Sequence, residues 1–385
     1  MNWSKTVAKS GTPIKLLIGG SPCTKWSIAQ KNGREVLPEG IGWELFENYR
    51  IAKEKFQPDI FLYENNKSAA QPIKDEIYSA LGGGKDSSVR LTHIDSALVS
   101  AQHRERFYVT NFGDIEQPKD RGILLRDELE TDWATDHSNY YRLESVVPIN
   151  TTTDGKARTV KAQYHHSSMA NFVTNGGFPA TAVATPIRIG TIESNVKNKS
   201  HDSKQYRVYS PDGKATTLCG QGGGVGAKTG LYACPTNEID GKPIYTVKNG
   251  LIKIKDKQYP VKLRDGYYII RKLTPTECER LQTMPDGYTS AVSNSQRYKA
   301  LGNGWTAEVI IHILNHALKD VPRDKELVVL SMYDGIATGR YCLNKMGFTN
   351  VKYYAYEIDP YAQKIAMSNY PDIVQCGDAF QIRNL

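Results

Sequence analysis

The sequence predicts an α/β fold, with a mainly parallel sheet covered on both faces, joined to a smaller and irregular β-rich domain. Three observations lead there. Residues 14 to about 140, and again those from 269 onward, alternate short apolar runs with amphipathic stretches at helical spacing. That is the rhythm of parallel strands linked through helices. Between 145 and 268 the rhythm stops: Gly, Thr, Ser, Asn and Lys dominate, and apolar runs are short and bounded by turn residues. Finally, 385 residues favour two domains over one core. The regions drawn from this texture are 1–144, 145–268 and 269–385.

In chain order, Leu16–Ile18 reads as a strand that ends at Gly19 and Gly20, after which Pro22 stiffens the backbone before Cys23. Gly42–Phe56 and Gln71–Leu81 read as amphipathic helices, and Ile60–Tyr63 and Phe107–Thr110 as strands. In the middle region Asp154–Val160 and Asp212–Leu218 echo each other. Asp-Gly followed by alternating residues is a turn feeding a strand, so each copy is read as one arm of a hairpin. Gly220–Gly226 is too rich in glycine for regular structure. Ile252–Lys255 and Val261–Leu263 alternate apolar and basic residues, a strand pair with a cationic face that suits phosphates or keeps an edge from aggregating. Thr274–Met284 is predicted as a helix capped by Thr274, with Pro275 at its first position and Glu277 completing a capping box. Thr306–Leu318 follows as a helix, then Leu327–Leu330 and Val351–Tyr356 as buried strands.

Composition narrows the function classes. No run approaches the ~18 apolar residues of a membrane span, and Met1–Lys5 lacks the apolar core of a secretory signal. Six scattered cysteines without a C-x-x-C pair argue against a zinc site or a disulfide framework and fit a reducing cytoplasm. His312 and His316 share a helical face with no third ligand nearby, so no metal is expected. The formal charge of +8 fits either a polyanionic partner or simple solubility.

Leu327–Gly339 has a strand, a glycine-bearing turn and a helix start, with Glu357 at the end of the next strand. This pattern suits a nucleotide-type cofactor: glycines admit the ligand to the backbone, and the acid takes ribose hydroxyls. Asp378 sits where a third strand would end, within reach of an adenine amine. Cys23, at a strand's carboxyl end, reads as a nucleophile or as a packed thiol. Glu64 and Asn65 follow a neighbouring strand, as a solvated terminus or as part of the same crevice. Arg104 and Arg106, two apart, would point the same way along an extended backbone. Together they describe one crevice with a thiol, a carboxylate and two guanidiniums.

Five blocks carry a resemblance: Gly19–Cys23, Glu64-Asn65, the Gln102-x-Arg104-x-Arg106 segment, Arg271–Gln282 and Gln296–Asn303. They resemble the signature blocks of the DNA (cytosine-5)-methyltransferases, and Tyr333–Gly339 resembles that family's S-adenosylmethionine loop. The order does not: the Pro-Cys block comes first here and the cofactor blocks last, so the chain looks like a circular permutant. The resemblance implies a Rossmann-like S-adenosylmethionine-dependent methyltransferase sheet made by 1–144 and 269–385, with 145–268 as target-recognition domain. It implies Cys23 as the nucleophile on carbon 6 of a flipped cytosine, Glu64 on ring nitrogen 3 and the exocyclic amine, and Arg106 on the carbonyl. Arg104 would steady the loop or a phosphate. Gly20, Ser21, Pro22, Ser27, Asn65 and Gln102 would shape the substrate loops. Tyr333, Asp334, Gly335, Ile336, Ala337, Thr338, Gly339, Glu357, Ile358, Asp378 and Asn303 would hold S-adenosyl-L-methionine. Thr216, Thr217 and Arg207 would contribute to DNA recognition.

The implied partner is double-stranded DNA, with a cognate restriction endonuclease as a further expectation; a cytoplasmic monomer without metal is expected. Asn66 and Gly304-Trp305 depart from the family pattern. They leave room for a related enzyme acting on RNA or with a modified cofactor, and an idle DNA-binding homologue is the reading from another class.

Overall fold

A computed structural model describes residues 12–27, 33–130, 146–148, 184–192, 206–220, 229–236, 245–254 and 257–384. The chain divides into two compact units. The first comprises Met1–Ser96, Arg104–Lys119 and Glu279–Leu385; the second comprises Ala97–His103 and Asp120–Cys278.

Strands are numbered in chain order. The first unit holds β1 (Ile14–Gly19), β2 (Ile60–Asn66), β3 (Arg90–Asp95) and β4 (Glu105–Thr110). The second unit holds β5 (Val146–Pro148), β6 (Arg188–Ile192), β7 (Arg207–Tyr209), β8 (Leu231–Pro235), β9 (Tyr245–Lys248), β10 (Leu251–Ile254), β11 (Lys257–Pro260) and β12 (Gly266–Arg271). β13 (Leu327–Met332), β14 (Val351–Tyr356) and β15 (Val374–Gly377) return to the first unit.

The first unit's sheet runs β15-β14-β13-β1-β2-β4-β3. The first five strands are parallel; β4 runs antiparallel to β2, and β3 antiparallel to β4. The central strands β1, β2 and β13 are mostly buried on both sides because both faces are covered, whereas β14 exposes Lys352 and Tyr354 and the edge strand β15 exposes Val374. On one face Leu17, Phe61, Phe107 and Met332 meet Phe46, Tyr49 and Ala52 of the helix Gly40–Phe56, and Ile73 and Ile77 of the helix Gln71–Ala80. On the other lie the helices Ala307–Leu318 and Thr338–Lys345. A Cβ on Gly339 would stand 2.2 Å from Ile18 Cδ1 and 2.7 Å from the Tyr353 hydroxyl, so the glycine sets how closely that helix seats.

The predicted rhythm omits β3. Most of its residues are partly exposed, so it carries no continuous apolar run to mark it. β2 is longer than predicted and carries Glu64 and Asn65 within the strand, because β4 pairs with it as far as Asn66.

The second unit's sheet runs β11-β10-β9-β12-β8-β7-β6-β5, antiparallel except between β7 and β8. Its apolar cluster includes Val208, Leu231, Tyr245, Ile252 and Ile270. The predicted partner of Ile252–Lys255 is corrected. β10 pairs with Lys257–Pro260; the bond from Val261 N to Gly250 O at 2.9 Å closes that ladder, and Val261–Leu263 forms no strand of its own. Asp212 does open a turn, but the turn leads into a single bridge from Ala215 to Gln102 rather than a hairpin arm. The echo at Asp154–Val160 and most of Gly220–Gly226 lie outside the described residues.

The expected helix at Thr274 spans Pro275–Leu281, and its capping box is formed. Thr274 N donates to Glu277 Oε2 at 2.8 Å, and Glu277 N to Thr274 Oγ1 at 3.1 Å. It ends before Met284 because Gln282, Thr283 and Met284 turn back onto Glu279 and Arg280.

Candidate active site

Register alone aligns the candidate residues of the first unit. Gly19 stands opposite Tyr63 and Met332, Met332 opposite Tyr356, and Tyr356 opposite Gly377. The next residue along each strand, Gly20, Glu64, Tyr333, Glu357 and Asp378, therefore lies in one row at the carboxyl edge of the parallel strands, where open α/β sheets bind ligands.

Pro22 is exposed with φ −53° and ψ 122°, and leads into the short 3-10 turn Cys23–Lys25. The Cys23 thiol is free and partly exposed. Its carbonyl accepts from Trp26 N and Ser27 N, both at 3.0 Å. The buried Trp26 indole donates to Glu35 Oε2 at 3.1 Å, which ties the stretch after the cysteine to the start of the helix Gly40–Phe56.

The base of the loop is a buried polar cluster. Ser21 Oγ lies 2.7 Å from the Tyr63 hydroxyl, and Asn65 Nδ2 donates to Ser21 O at 2.9 Å and to the Tyr63 hydroxyl at 3.0 Å. Burial pushes the Tyr63 phenol well above its ordinary value, so it stays a neutral donor and acceptor. Ser21 and Asn65 stand out in the sequence through their motifs; Tyr63, in a run of buried strand residues, gives no signal there.

Glu64 is 9 % exposed. Its Oε1 lies 2.9 Å from Arg106 Nε, and its Oε2 accepts from Trp305 Nε1 at 2.9 Å. Asn66 and Arg106 are register partners, so Glu64 and Arg106 meet along a diagonal of the β2–β4 ladder. Gly20 matters for space: a Cβ there would come 2.5 Å from Glu64 O and 3.0 Å from Oε2.

Arg104 reaches a different part of the site. Its Nη2 donates to Gly304 O at 2.8 Å and to Gly302 O at 3.2 Å, so it holds the turn that ends the helix Asn294–Asn303. These contacts are those of a residue that steadies the loop, one of its two expected roles. Burial first and Arg106 second bring its guanidinium down to about 10.

The Tyr333–Ala337 turn is held in an unusual shape. Tyr333 (φ 59°) and Ala337 (φ 61°) are left-handed without being glycines, conformations kept only where surroundings enforce them. The Tyr333 hydroxyl donates to Leu45 O at 2.7 Å and accepts from Asn48 Nδ2 at 3.1 Å, and Asn48 Oδ1 accepts from Arg383 Nε at 2.6 Å. None of these supports is marked by a motif. Ile336 and Gly339 are buried packing residues here, with Tyr288 donating to Ile336 O at 2.8 Å. Thr338 is likewise buried.

Asp334 Oδ1 accepts from Ser331 Oγ and the Tyr353 hydroxyl, both at 2.7 Å. Its Oδ2 is buried with no partner among the described residues. Burial, opposed by those hydrogen bonds and reinforced by Glu357, raises the carboxyl to about 6. Glu357 Oε2 accepts from Gly335 N at 2.8 Å, and Oε1 from Ile358 N and Asp359 N at 2.8 and 2.7 Å. Space above Gly335 is open, Ile358 is 70 % exposed, and Asp378 and Asn303 are exposed. An unpartnered carboxylate oxygen, an open glycine, a second acid and an exposed aliphatic side chain fit a cationic, adenosine-bearing cofactor.

Four expected site residues fall in the second unit. Gln102 is fully buried and its Oε1 accepts from Leu218 N at 3.1 Å. Thr217 Oγ1 donates to His103 O at 2.7 Å and Thr216 Oγ1 to Thr229 O, so both hydroxyls are committed to backbone; Arg207 opens β7. Among the described residues no group of three or more His, Cys, Asp or Glu could hold a metal, and no helix is long and apolar enough to cross a membrane.

Residues 4–319 match the family of C-5 cytosine-specific DNA methylases. Among relatives, the type II methyltransferase M.HhaI of Haemophilus parahaemolyticus is 25% identical over 315 residues, 78% of this chain and 73% of that protein. The orphan methyltransferase M.SPBetaI of Bacillus phage SPbeta is 31% identical over 163 residues, 35% of this chain and 34% of its own length. A solved methyltransferase from Entamoeba histolytica, EhMeth, is 12% identical with a TM-score of 0.41, covering 80% of this chain and 78% of that one. The chain belongs to the C-5 cytosine-specific DNA methylases, which methylate DNA cytosine with S-adenosylmethionine as methyl donor.

Proposed function

We propose that Cys23 is the nucleophile of this cytosine methylation and that Glu64 and Arg106 hold the base. Carbon 5 of cytosine is a weak nucleophile, and attack of the Cys23 thiolate on carbon 6 makes the ring an enamine. The Glu64 carboxyl accepts from the exocyclic amine and shares a solvent-derived proton with ring nitrogen 3, so that electron density can move into the ring as the thiolate adds. Arg106 keeps Glu64 in place and faces the ring carbonyl. The target base leaves the duplex to reach these groups. Once carbon 5 carries the methyl group, loss of its proton to water expels the thiolate and restores the free Cys23. Arg104 acts at one remove, by fixing the Gly302–Gly304 turn.

S-Adenosylmethionine, when bound, supplies an electrophilic methyl group to carbon 5. Asp334, Gly335, Glu357, Ile358 and Asp378 would hold it, with Tyr333 and Ala337 shaping the turn beneath and Asn303 at the methionine end. Residues 145–268 would read the target sequence. Thr216 and Thr217 would serve there by fixing backbone, with base edges left to other side chains.

The circular permutation is part of the proposal. β13, β14 and β15 lie on one side of β1 in the sheet although they come last in the chain, and the family match stops at residue 319, before them. A chain joined from Leu385 to Met1 and opened between 319 and 327 should fold and methylate; failure of that variant to fold would count against it. A cytoplasmic monomer working beside a restriction endonuclease completes the proposal. Sedimentation tests the first term, and protection of host DNA from that nuclease tests the second.

The observation that carries the residue roles is Glu64, gripped by Arg106 beside a Pro-Cys loop with no room for a side chain at Gly20. Duplex DNA containing 5-fluorocytosine should trap the wild-type chain covalently when S-adenosylmethionine is present. Cys23→Ala should bind the duplex and form no adduct. An adduct with Cys23→Ala would sink the assignment, and bisulfite sequencing of DNA from an expressing host reads the target site.

A further inference from the structure

Glu64 has a second partner that the chemistry above leaves unused. Trp305 Nε1 donates to Oε2 at 2.9 Å while Arg106 Nε lies 2.9 Å from Oε1, so each carboxylate oxygen is held by a separate donor. A carboxylate has about four lone-pair sites, so two remain, one for the exocyclic amine and one for the proton shared with ring nitrogen 3. The terminal torsion of a glutamate is broad and soft, and one donor alone leaves the carboxylate plane free to swing. Two donors on different oxygens fix it. An indole N–H suits the task because it donates and has no acceptor of its own.

Trp305 is itself held firmly. Arg104 clamps the carbonyls of Gly302 and Gly304 just before it. Gln282 Nε2 donates to Leu301 O at 2.6 Å and to Gly304 O at 3.3 Å. Thr306 Oγ1, just after Trp305, donates to Gln282 Oε1 at 2.9 Å and accepts from Ser96 Oγ at 2.9 Å. Ser96, Arg104, Gln282 and Thr306 are all buried. A buried and satisfied polar network of this kind specifies one geometry. Trp305 lies at the departure from the family pattern noted in the sequence, and the departure has a structural role.

We infer that Trp305 is a positioning residue that aims the Glu64 carboxylate at the cytosine edge. The inference rests on the role proposed for Glu64. Trp305→Phe keeps a ring and removes the donor. A hydrogen bond to a charged group is strong enough that its loss should slow single-turnover methylation roughly 10- to 100-fold. Dissociation constants for S-adenosylmethionine and for duplex DNA should stay within about twofold, since the substitution removes only the donor to Glu64 and leaves the Tyr333–Ala337 turn unchanged.

The test is a double-mutant cycle on single-turnover rates, with wild type, Trp305→Phe, Glu64→Ala and the double variant. If Trp305 acts through Glu64, the double variant is no slower than Glu64→Ala. Full multiplication of the two effects, a wild-type rate for Trp305→Phe, or a loss confined to cofactor affinity would each overturn the inference. A second readout does not depend on turnover. The indole N–H resonance of Trp305, identified by its loss in Trp305→Phe, should move in Glu64→Ala; an unmoved resonance would show that the contact is absent. A wild-type chain that methylates no duplex, with that resonance shift intact, would overturn the role of Glu64 and the inference built on it while leaving the contact standing.

Discussion

Arg106 Nε and Glu64 Oε1 lie 2.9 Å apart across a diagonal of the β2–β4 ladder, with only 9 % and 11 % of their side chains exposed. Arg106→Lys keeps the charge and loses the planar fork. It should reduce kcat/KM for duplex methylation by roughly 10²- to 10³-fold, the range seen when one preorganised donor is removed. Arg106→Ala should add a stability loss of about 3 kcal/mol, because it leaves a buried carboxylate uncompensated. Steady-state kinetics and urea unfolding separate the two effects.

Gly20 offers a test whose sign is informative. Replacing glycine by alanine at an unstrained position normally stabilises by about 0.4–1 kcal/mol. Here the new Cβ would meet Glu64 O at 2.5 Å and Oε2 at 3.0 Å. Gly20→Ala should therefore destabilise by about 1–3 kcal/mol, as overpacking does, and should slow methylation. A stabilised and fully active variant would contradict the geometry.

Asp334 links stability to pH. Its carboxyl ordinarily titrates at 3.8 and is raised to about 6 in the fold, chiefly by burial. The folded state thus binds more protons across that window, and its stability falls as pH rises from 3.8 through about 6, by roughly 3 kcal/mol in all. Asp334→Asn should flatten that part of the stability–pH curve and leave the unliganded enzyme more stable than wild type at pH 8, as read by chemical denaturation. The same variant should bind S-adenosylmethionine at least about tenfold more weakly, since it loses the carboxylate proposed to face the cofactor's cation.

Glu277 tests the second unit. It is fully buried, paired to Arg271 at 2.6 and 2.7 Å through both oxygens, and accepts from Thr274 N and Glu130 N. Glu277→Gln should cost about 3–5 kcal/mol in urea unfolding, because Arg271 would be left buried without its counter-ion.

How much of the fold and site is legible in the sequence depends on whether a residue's surroundings are local. β14 is legible to the residue, because buried Val351, Tyr353 and Ala355 alternate with exposed Lys352 and Tyr354 at the period of a strand. The capping box at Thr274 and Glu277 is legible because both partners lie within one turn. β3 escapes notice because an edge strand needs little apolar content. The cofactor turn shows itself through its glycines and acids, whereas its supports, Asn48 and Arg383, act from distant segments. Trp305 shows the limit best: its departure from the family pattern is visible, but that its indole meets Glu64 depends on a fold that joins positions far apart in sequence. Thr216 and Thr217 show a different limit: the sequence marks their hydroxyls as candidates, but the backbone carbonyls of Thr229 and His103 to which they donate lie in other segments.

The pairing of β1 with β13 sets a schedule for making the protein. Leu16 and Leu17 find their neighbours Val329 and Leu330 only after nearly the whole chain has left the ribosome. At roughly 5–20 residues per second, that leaves the first strand without one of its partners for about 15 s to a minute. The centre of the sheet therefore closes late, and contacts of such long separation are slow to form. During that interval the apolar edge of β1 needs shelter from neighbouring chains, so yield on overexpression should depend on temperature and chaperone supply more than on the stability of the finished enzyme.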